Sequence, residues 1–381
     1  MPFDAQAAAA HRNTPNRGPN PRPIALWLLA VAGMVWVMVA LGGATRLTGS
    51  GLSIMEWAPL AGTLPPLSEA EWRRLYALYQ TIPQYALVNQ GFGLEGFKEI
   101  FWLEWAHRLW GRLIGLAYAL PLAIFWLRGR IPQGYRRRLL LLLLLGGMQG
   151  AVCWFMVASG FEAERTAVSP YRLVMHLSLA LGLYAALLWT GLSLLRDAAP
   201  RHADTSPAPH ADTSPAPHAA TRSVRRQVKA AAWLVVAAML AGGFVAGIKA
   251  GFDYNSFPLM DGQLVPAGYW RLTPTWTNLT LNIPAVQFNH RLLASLATFA
   301  ALGAGLAGWR RLPPGAARGA CLGLGAAACL QYALGIATLL LVVPAWLGTL
   351  HQACAVLVLT ATLLALHSLR DPPSGSRRRA A

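Results

Sequence analysis

Charge is scarce in this chain of 381 residues: only 12% are Asp, Glu, Lys or Arg, 55% are hydrophobic, and the mean hydropathy is +0.41. A soluble globular domain carries roughly twice that charge, so the shortage excludes one and makes the bilayer the solvent. Acid is scarcer than base, 15 residues against 32, leaving a formal net charge of +17. The basic residues nevertheless sit in short clusters between apolar runs, not on a stripe interleaved with aromatics, which excludes a nucleic-acid surface. Cysteine is nearly absent. Cys153, Cys321, Cys329 and Cys354 lie in apolar stretches without CxxC spacing, so neither a disulfide framework nor a thiolate metal site is expected. The polar start, rich in Pro and Arg, leads into an apolar run too long for a cleaved signal and without a small-residue cleavage site. That run is expected to stay as a membrane anchor.

What the chain does have is long apolar runs. Eight reach the ~20 residues needed to cross the hydrocarbon core, at about 25–44, 101–127, 137–158, 171–195, 228–249, 285–309, 317–342 and 345–368. They predict an all-α membrane protein with both termini on one side. Arginines mark that side: Arg12, Arg17 and Arg22 before the first run, then Arg128, Arg130, Arg136, Arg137 and Arg138. Arg222, Arg225, Arg226 and Lys229, then Arg310, Arg311 and Arg318, then Arg377, Arg378 and Arg379 continue the pattern. The positive-inside rule makes that face, with the tails 1–24 and 369–381, cytoplasmic. Two long loops, 45–100 and 250–284, face the other side, and EAEWRRLYALYQ (69–80) within the first predicts an amphipathic helix on the interface. A tandem HADTSPAP in the linker 196–227 has the composition of a disordered spacer, so His202, His210 and His218 are not expected to bind metal.

The chain also repeats itself. Gly42-Gly43 recurs as Gly242-Gly243, Gly51 as Gly251, Gly62 as Gly262, Leu64 as Leu264 and Pro66 as Pro266, all at an offset of 200. His107-Arg108-Leu109 recurs as His290-Arg291-Leu292, Gln149 as Gln331 and His176 as His351, at offsets of 183, 182 and 175. Order and type match through four spans, which predicts two duplicated four-helix bundles, 25–195 and 228–368. Because four is even, both would keep one orientation and be related by a pseudo-two-fold axis along the membrane normal.

His107, His176, His290 and His351 all fall near the extracytoplasmic start of an apolar span and obey the repeat, whereas His367 lies at the other end. Ionisable groups inside a membrane are costly and mostly functional. Two imidazoles facing each other across a bundle suit axial ligation of haem iron. Zinc wants three or four ligands and leaves no room for a planar macrocycle. Arg108 and Arg291 sit on the side where cations are disfavoured, which leaves two readings: snorkelling to lipid headgroups or pairing with haem propionates. One asymmetry stands out: Glu104 lies one turn before His107, while Gln287 holds the equivalent place before His290. A carboxylate in apolar surroundings has a raised pKa, a property of catalytic acids and bases; the plainer alternative is a carboxylate that anchors Arg108 or a lipid headgroup.

GGATRLTGSGLSIMEWAPLAGTLPPLSEAEW (42–72) and FWLEWAHRLWGRLIGL (101–116), with the later FNHRL (288–292) and TLHQ (349–352), resemble haem A synthase in the branch shared by proteobacteria and mitochondria. The similarity covers about residues 25–368. The resemblance implies an inner-membrane enzyme that oxidises the C8 methyl of haem O to the formyl group of haem A, for aa3-type cytochrome oxidases. By matching motif it implies that Glu104 is the acidic residue of an ExxHR signature. It makes His107 and His176 the ligands of the substrate haem, and His290 and His351 the ligands of a permanent haem b. It further implies a protohaem farnesyltransferase (haem O synthase) and oxidase assembly factors as partners, besides membrane lipids, and leaves the electron donor and any homo-oligomer open. The sequence departs from some relatives in having no cysteine in the loop 45–100. Two other classes compete: a di-haem b-type electron carrier, which would not predict Glu104, and a transporter, whose site would lie near the midplane at broken helices.

Overall fold

In lipid every backbone N–H and C=O must be satisfied within the protein, and the Leu- and Ala-rich runs do this as helices. The computed structural model describes residues 20–58, 61–163, 165–198 and 215–370. The helices in chain order are α1 (Arg22–Leu47), α2 (Glu69–Tyr79), α3 (Pro83–Leu87), α4 (Leu94–Leu127), α5 (Arg136–Ala158) and α6 (Pro170–Asp197). Then follow α7 (Pro215–Gly247), α8 (Asn278–Leu281), α9 (Ile283–Arg311), α10 (Ala316–Leu340) and α11 (Ala345–Ser368). All but α2, α3 and α8 are long and apolar enough to cross a membrane, eight spans in all, as the multi-pass reading requires. Among the described residues extended pairing is limited to one isolated bridge, Met260 with Gln263.

Three boundaries differ from expectation. α4 begins at Leu94, seven residues before the expected 101, because Phe97 and Phe101 bury against an aromatic cluster with Tyr79, Ile82 and Leu52. The amphipathic segment does form α2, started by Ser68, whose hydroxyl accepts from the Glu71 N–H. Its aromatic face does not lie free on an interface; Trp72 meets Phe101 edge-on at 4.8 Å and Tyr79 meets Phe97 at 5.4 Å. The linker expected to run disordered from 196 to 227 is shorter: α6 continues to Asp197 and α7 starts at Pro215. Val224 and Val228 there are fully buried, and apolar burial holds helix where composition suggested spacer. His202 and His210 of the tandem repeat lie outside the described residues.

In the first half, α1 packs on α4 and α6, and α5 packs on α6. In the second, α9 packs on α7 and α10, and α10 packs on α11. The first core is filled by large side chains, among them Leu28, Leu139, Leu187 and Leu194. The second relies on small ones, Ala231, Ala301, Ala304 and Cys321, and a Cβ added at Gly305 would stand 3.1 Å from the Cys321 carbonyl oxygen. Close backbone approach of this kind drives helix association in lipid, where hydrophobic burial gains nothing.

The two halves meet along α1 with α11 and α7 with α6. Trp36 Nε1 of α1 donates to the Ala353 carbonyl at 2.9 Å, and Gln352 Nε2 donates to the Val39 carbonyl at 2.8 Å. Gly43 admits Gln352, and its repeat-mate Gly243 admits Val174 of α6, each so closely that an added Cβ would stand 2.9 and 3.0 Å away.

Candidate functional site

Glu104 projects from α4 and is only 4% exposed. Its Oε2 accepts from Ser53 Oγ at 2.7 Å and from the Ile54 N–H at 2.8 Å; its Oε1 accepts from Arg108 Nε at 2.9 Å and Nη2 at 2.6 Å. The apolar surroundings expected for this carboxylate are absent. Four hydrogen bonds, two of them from one guanidinium, occupy both carboxyl oxygens. Arg108 in turn donates from Nη1 to the Glu56 carbonyl at 2.9 Å and from Nη2 to the Ile54 carbonyl at 2.5 Å. The pair straps residues 53–56, the start of the long outer loop, onto α4 at the turn carrying His107.

The second half builds the same strap with a neutral residue. Arg291 Nη1 donates to the Ser256 carbonyl at 2.8 Å and Nη2 to the Tyr254 carbonyl at 2.5 Å and to Gln287 Oε1 at 2.8 Å. The loop acceptors sit at the repeat offset of 200 from Glu56 and Ile54. Gln287 reverses the polarity, its Nε2 donating to the carbonyls of Ala250 and Asp253 at 2.7 and 2.5 Å. Glu104 therefore meets loop donors and Gln287 meets loop acceptors, so each residue matches its own loop. Neither arginine reaches out to headgroups: both spend their forks on loop carbonyls.

The four histidines stand beside these straps on α4, α6, α9 and α11. His107 is within electrostatic reach of His176, and His351 of His290. Glycines let the rings approach neighbouring backbones. A Cβ on Gly42 would stand 3.0 Å from His107 Cε1, one on Gly242 2.9 Å from His290 Cε1, and one on Gly335 2.8 Å from His351 Cε1. Gln149 Nε2 donates to the His176 carbonyl at 3.2 Å and lies 3.1 and 3.3 Å from Nδ1 and Nε2 of the ring; Gln331 repeats this on His351 at 3.0, 3.1 and 3.5 Å. Similar distances to both nitrogens set the amide over the ring, so it blocks neither nitrogen along its lone pair. The partners of Nδ1 differ between halves. His290 Nδ1 lies 3.0 Å from the Ala238 carbonyl, which fixes the proton there and leaves Nε2 for a metal. His107 Nδ1 is buried and makes no hydrogen bond of that geometry among the described residues, although the Leu41 backbone lies close enough to act on the ring.

A cavity in the second half runs between His290 and His351 and is walled by Gly242, Gly335, Ala294 and Ile336, with Arg46 and Lys249 on its lining. Arg46 comes from α1 and crosses the seam, donating to the Ala246 carbonyl at 2.6 Å. Apolar walls, two opposed imidazoles, glycines where a Cβ would intrude and cations at one end together fit a haem, which brings four nitrogen ligands of its own and two carboxylates. Among the described residues no three His, Cys, Asp or Glu side chains converge on a common metal position. His367 stands apart, edge-on to Trp189 at 5.2 Å.

Sequence reasoning missed Ser53 and the Ile54 N–H as partners of Glu104, the Ala238 carbonyl, and Arg46 and Lys249. Gln149 and Gln331 were visible as repeat-mates without a role. The glycine pairs were visible too, and their invariance across the repeat was the signal for close approach to a ring.

The architecture and the site define a multi-pass, all-helical protein with a histidine pair in each half. The comparisons with known proteins are more particular. Residues 25–363 match the COX15-CtaA family, described as cytochrome oxidase assembly protein, and the chain belongs to that family. It is 59% identical over 347 residues to the heme A synthase of Granulibacter bethesdensis, covering 91% of this chain and 87% of that protein. Identity to the heme A synthase of Rhodospirillum centenum is 48% over 353 residues, 92% and 90% of the two chains. To that of Caulobacter vibrioides it is 45% over 351 residues, 92% and 97%. No solved structure matches.

Proposed function

We propose that this chain makes haem A by oxidising the C8 methyl of haem O to a formyl group, for the assembly of cytochrome oxidase. The observation that carries the reading is the histidine pair repeated in both halves with its glutamine and arginine partners, in a chain most of whose length matches heme A synthases. His107 and His176 hold haem O as substrate. His290 and His351 hold haem b, which supplies one-electron redox chemistry when bound. The short Nδ1 contact of His290, against a looser one to the Leu41 backbone at His107, supports this division: a ring locked in one tautomer suits a permanent cofactor, and a freer one suits a substrate that must leave.

Glu104 acts in the first half. With Arg108 it positions the loop 53–56 against the turn that carries His107. Arg46 and Lys249 stand ready for the haem b carboxylates. Arg108 holds its outer loop, whereas Arg291 both holds its loop and lines the cavity beside His290, where it joins Arg46 and Lys249 as a partner for the haem carboxylates.

The halves derive from one four-helix unit related by a pseudo-two-fold axis along the membrane normal. The reciprocal seam supports this, since α1 meets α11 as its counterpart α7 meets α6, the exchange a two-fold axis demands. The arginine-rich helix ends support an inner-membrane orientation with cytoplasmic termini.

The test is to purify the full chain, extract its haems, and measure haem A in membranes that rely on this copy alone. Haem b together with haem O or A supports the reading. Haem-free protein overturns it, and normal haem A with Glu104→Ala overturns the part given to Glu104. Unchanged haem A on deletion would leave a di-haem electron carrier.

A further inference from the structure

A second cavity lies at the opposite end of the helices from the histidines, where α5 begins and α6 and α11 end. Its volume is about 370 Å³, against the roughly 30 Å³ that one water takes in the liquid. Its lining among the described residues is Gly134, Tyr135, Arg138, Ser193, Arg196, Asp197 and Arg370. Three arginines against one aspartate, 3 − 1, give it a charge of +2 from side chains on three separate segments.

The cations are held in place. Arg370 donates from Nη1 to Ser193 Oγ at 3.0 Å and stacks over the Trp189 ring with its Cζ 5.1 Å from the centroid. Arg138 lies 5.7 Å from the Tyr135 ring, and the Tyr135 hydroxyl donates to Asp197 Oδ2 at 2.7 Å. Burial and the Asp197 carboxylate push that phenol up to about 12, so it stays a neutral donor. Helix ends attract cations by themselves, which accounts for Arg196 and Arg370 separately. It does not account for their convergence with Arg138, from the start of a helix, where the dipole disfavours a cation, around one polar hollow. Nor does the repeat explain it: at the corresponding offset Arg138 maps to Ala320, so the second half lacks the arginine that comes from the start of a helix.

We propose that this pocket binds the phosphate of an anionic phospholipid headgroup at the arginine-rich face of the membrane. Guanidinium forks match phosphate oxygens bidentately, and basic pockets between membrane helices at this level take anionic headgroups. Because Arg370 follows α11 and the rest of the pocket belongs to the first half, a bound phosphate ties the second half to the first. The cavity is distinct from the histidine site and from the haem chemistry proposed above, so either reading can fail without the other.

The test is native mass spectrometry of the purified full chain, titrated separately with short-chain phosphatidylglycerol, phosphatidylcholine and inorganic phosphate. Phosphatidylglycerol is expected to bind in preference. Arg138→Gln with Arg370→Gln should weaken it about thirtyfold, with phosphatidylcholine unaffected. Asp197→Asn, which removes the opposing charge and leaves Tyr135 an acceptor, should tighten it severalfold; this gain-of-binding variant keeps the test sharp if the double variant does not fold. Equal binding of the two lipids, or wild-type affinity in the double variant, overturns the proposal. Inorganic phosphate binding as tightly as the lipid overturns the lipid source.

Discussion

Replacing Glu104 with Gln is the most informative single change, because it keeps the shape and removes the charge. The carboxylate accepts four hydrogen bonds, two at each oxygen. A glutamine has one acceptor oxygen. If that oxygen stays with Arg108, its NH2 faces the Ile54 N–H, two donors with nothing between them. Ser53 can turn to the Ile100 carbonyl at 3.4 Å, and Arg108 keeps the carbonyls of Ile54 and Glu56. Breaking a buried ion pair costs about 3–5 kcal/mol, and those two escapes put the expected cost at the lower end, about 3 kcal/mol. At about 1.4 kcal/mol per tenfold, local opening of residues 53–56 should rise roughly a hundredfold. Hydrogen exchange at the Ile54 amide, followed by mass spectrometry on the detergent-solubilised chain, reads this directly, with haem A content measured in parallel. Unchanged protection at Ile54 would refute the strap. Lost protection with normal haem A would leave the strap standing but remove Glu104 from the reaction. The mirror change, Gln287→Glu, should not be tolerated either, because a carboxylate oxygen would face the carbonyls of Ala250 and Asp253 at 2.7 and 2.5 Å.

Three further outcomes are expected. Gly242→Ala and Gly335→Ala place a Cβ 2.9 and 2.8 Å from the rings of His290 and His351, an overpacking of about 1–3 kcal/mol; haem b content by absorption spectroscopy should fall, while Gly33→Ala, with nothing within 4 Å, should not change it. In the outer loop Arg74 binds Glu56 at 2.8 Å and Glu71 at 2.8 Å and holds both carboxyls below their usual range. With a depressed folded pKa the tether is present above the unfolded value of about 4.5 and is lost as pH falls through the lower folded value. Arg74→Ala should therefore speed proteolysis of the loop at neutral pH and make no difference in acid. Trp36→Phe deletes the bond to the Ala353 carbonyl and should weaken association of the halves by about 1 kcal/mol, measured by co-purification of separately expressed residues 1–205 and 206–381.

The eight spans and the four histidines were legible because lipid imposes long apolar helices and because an intramembrane imidazole stands out against them. The repeat was legible because residues that hold a ring, Gly42, His107, Gln149 and His176, keep their type at constant order. The extension of α4 back to Leu94 was not, since it rests on Phe97 and Phe101 meeting α2, a contact between segments that periodicity treats separately. Nor was the surrounding of Glu104. Its neighbours in sequence are apolar, and only the fold brings Ser53 and the Ile54 amide across a separation of about fifty residues. Read from its own helix the carboxyl looks desolvated; read with its loop both of its oxygens are fully hydrogen-bonded. The start of α7 was hidden for a similar reason, because Val224 and Val228 gain burial that a Pro- and Ala-rich composition does not announce.

The Glu104 and Gln287 pair also changes what the asymmetry between the halves means. An isolated carboxylate beside one haem would suggest a group waiting to take a proton. What stands there is a charged strap in one half and a neutral strap in the other, both made by an arginine to carbonyls at matching loop positions. The two straps share geometry but differ in their response to charge. The neutral strap of the second half carries one cation and no anion; the first carries both and binds its loop through donors that only an anion satisfies. A change of charge beside His107 would therefore be felt by the loop 53–56 through the Glu104–Arg108 pair, whereas Gln287 gives the second half no ion pair of that kind. Under the proposed function substrate enters and product leaves the first site, and a strap held by an ion pair can be released there. The second site has its tautomer fixed by Ala238 and a cation, Arg46, supplied from the other half. Under the proposed function, the haem that stays would lie beside the neutral strap and the cation supplied across the seam, and the haem that turns over would lie beside the Glu104–Arg108 strap.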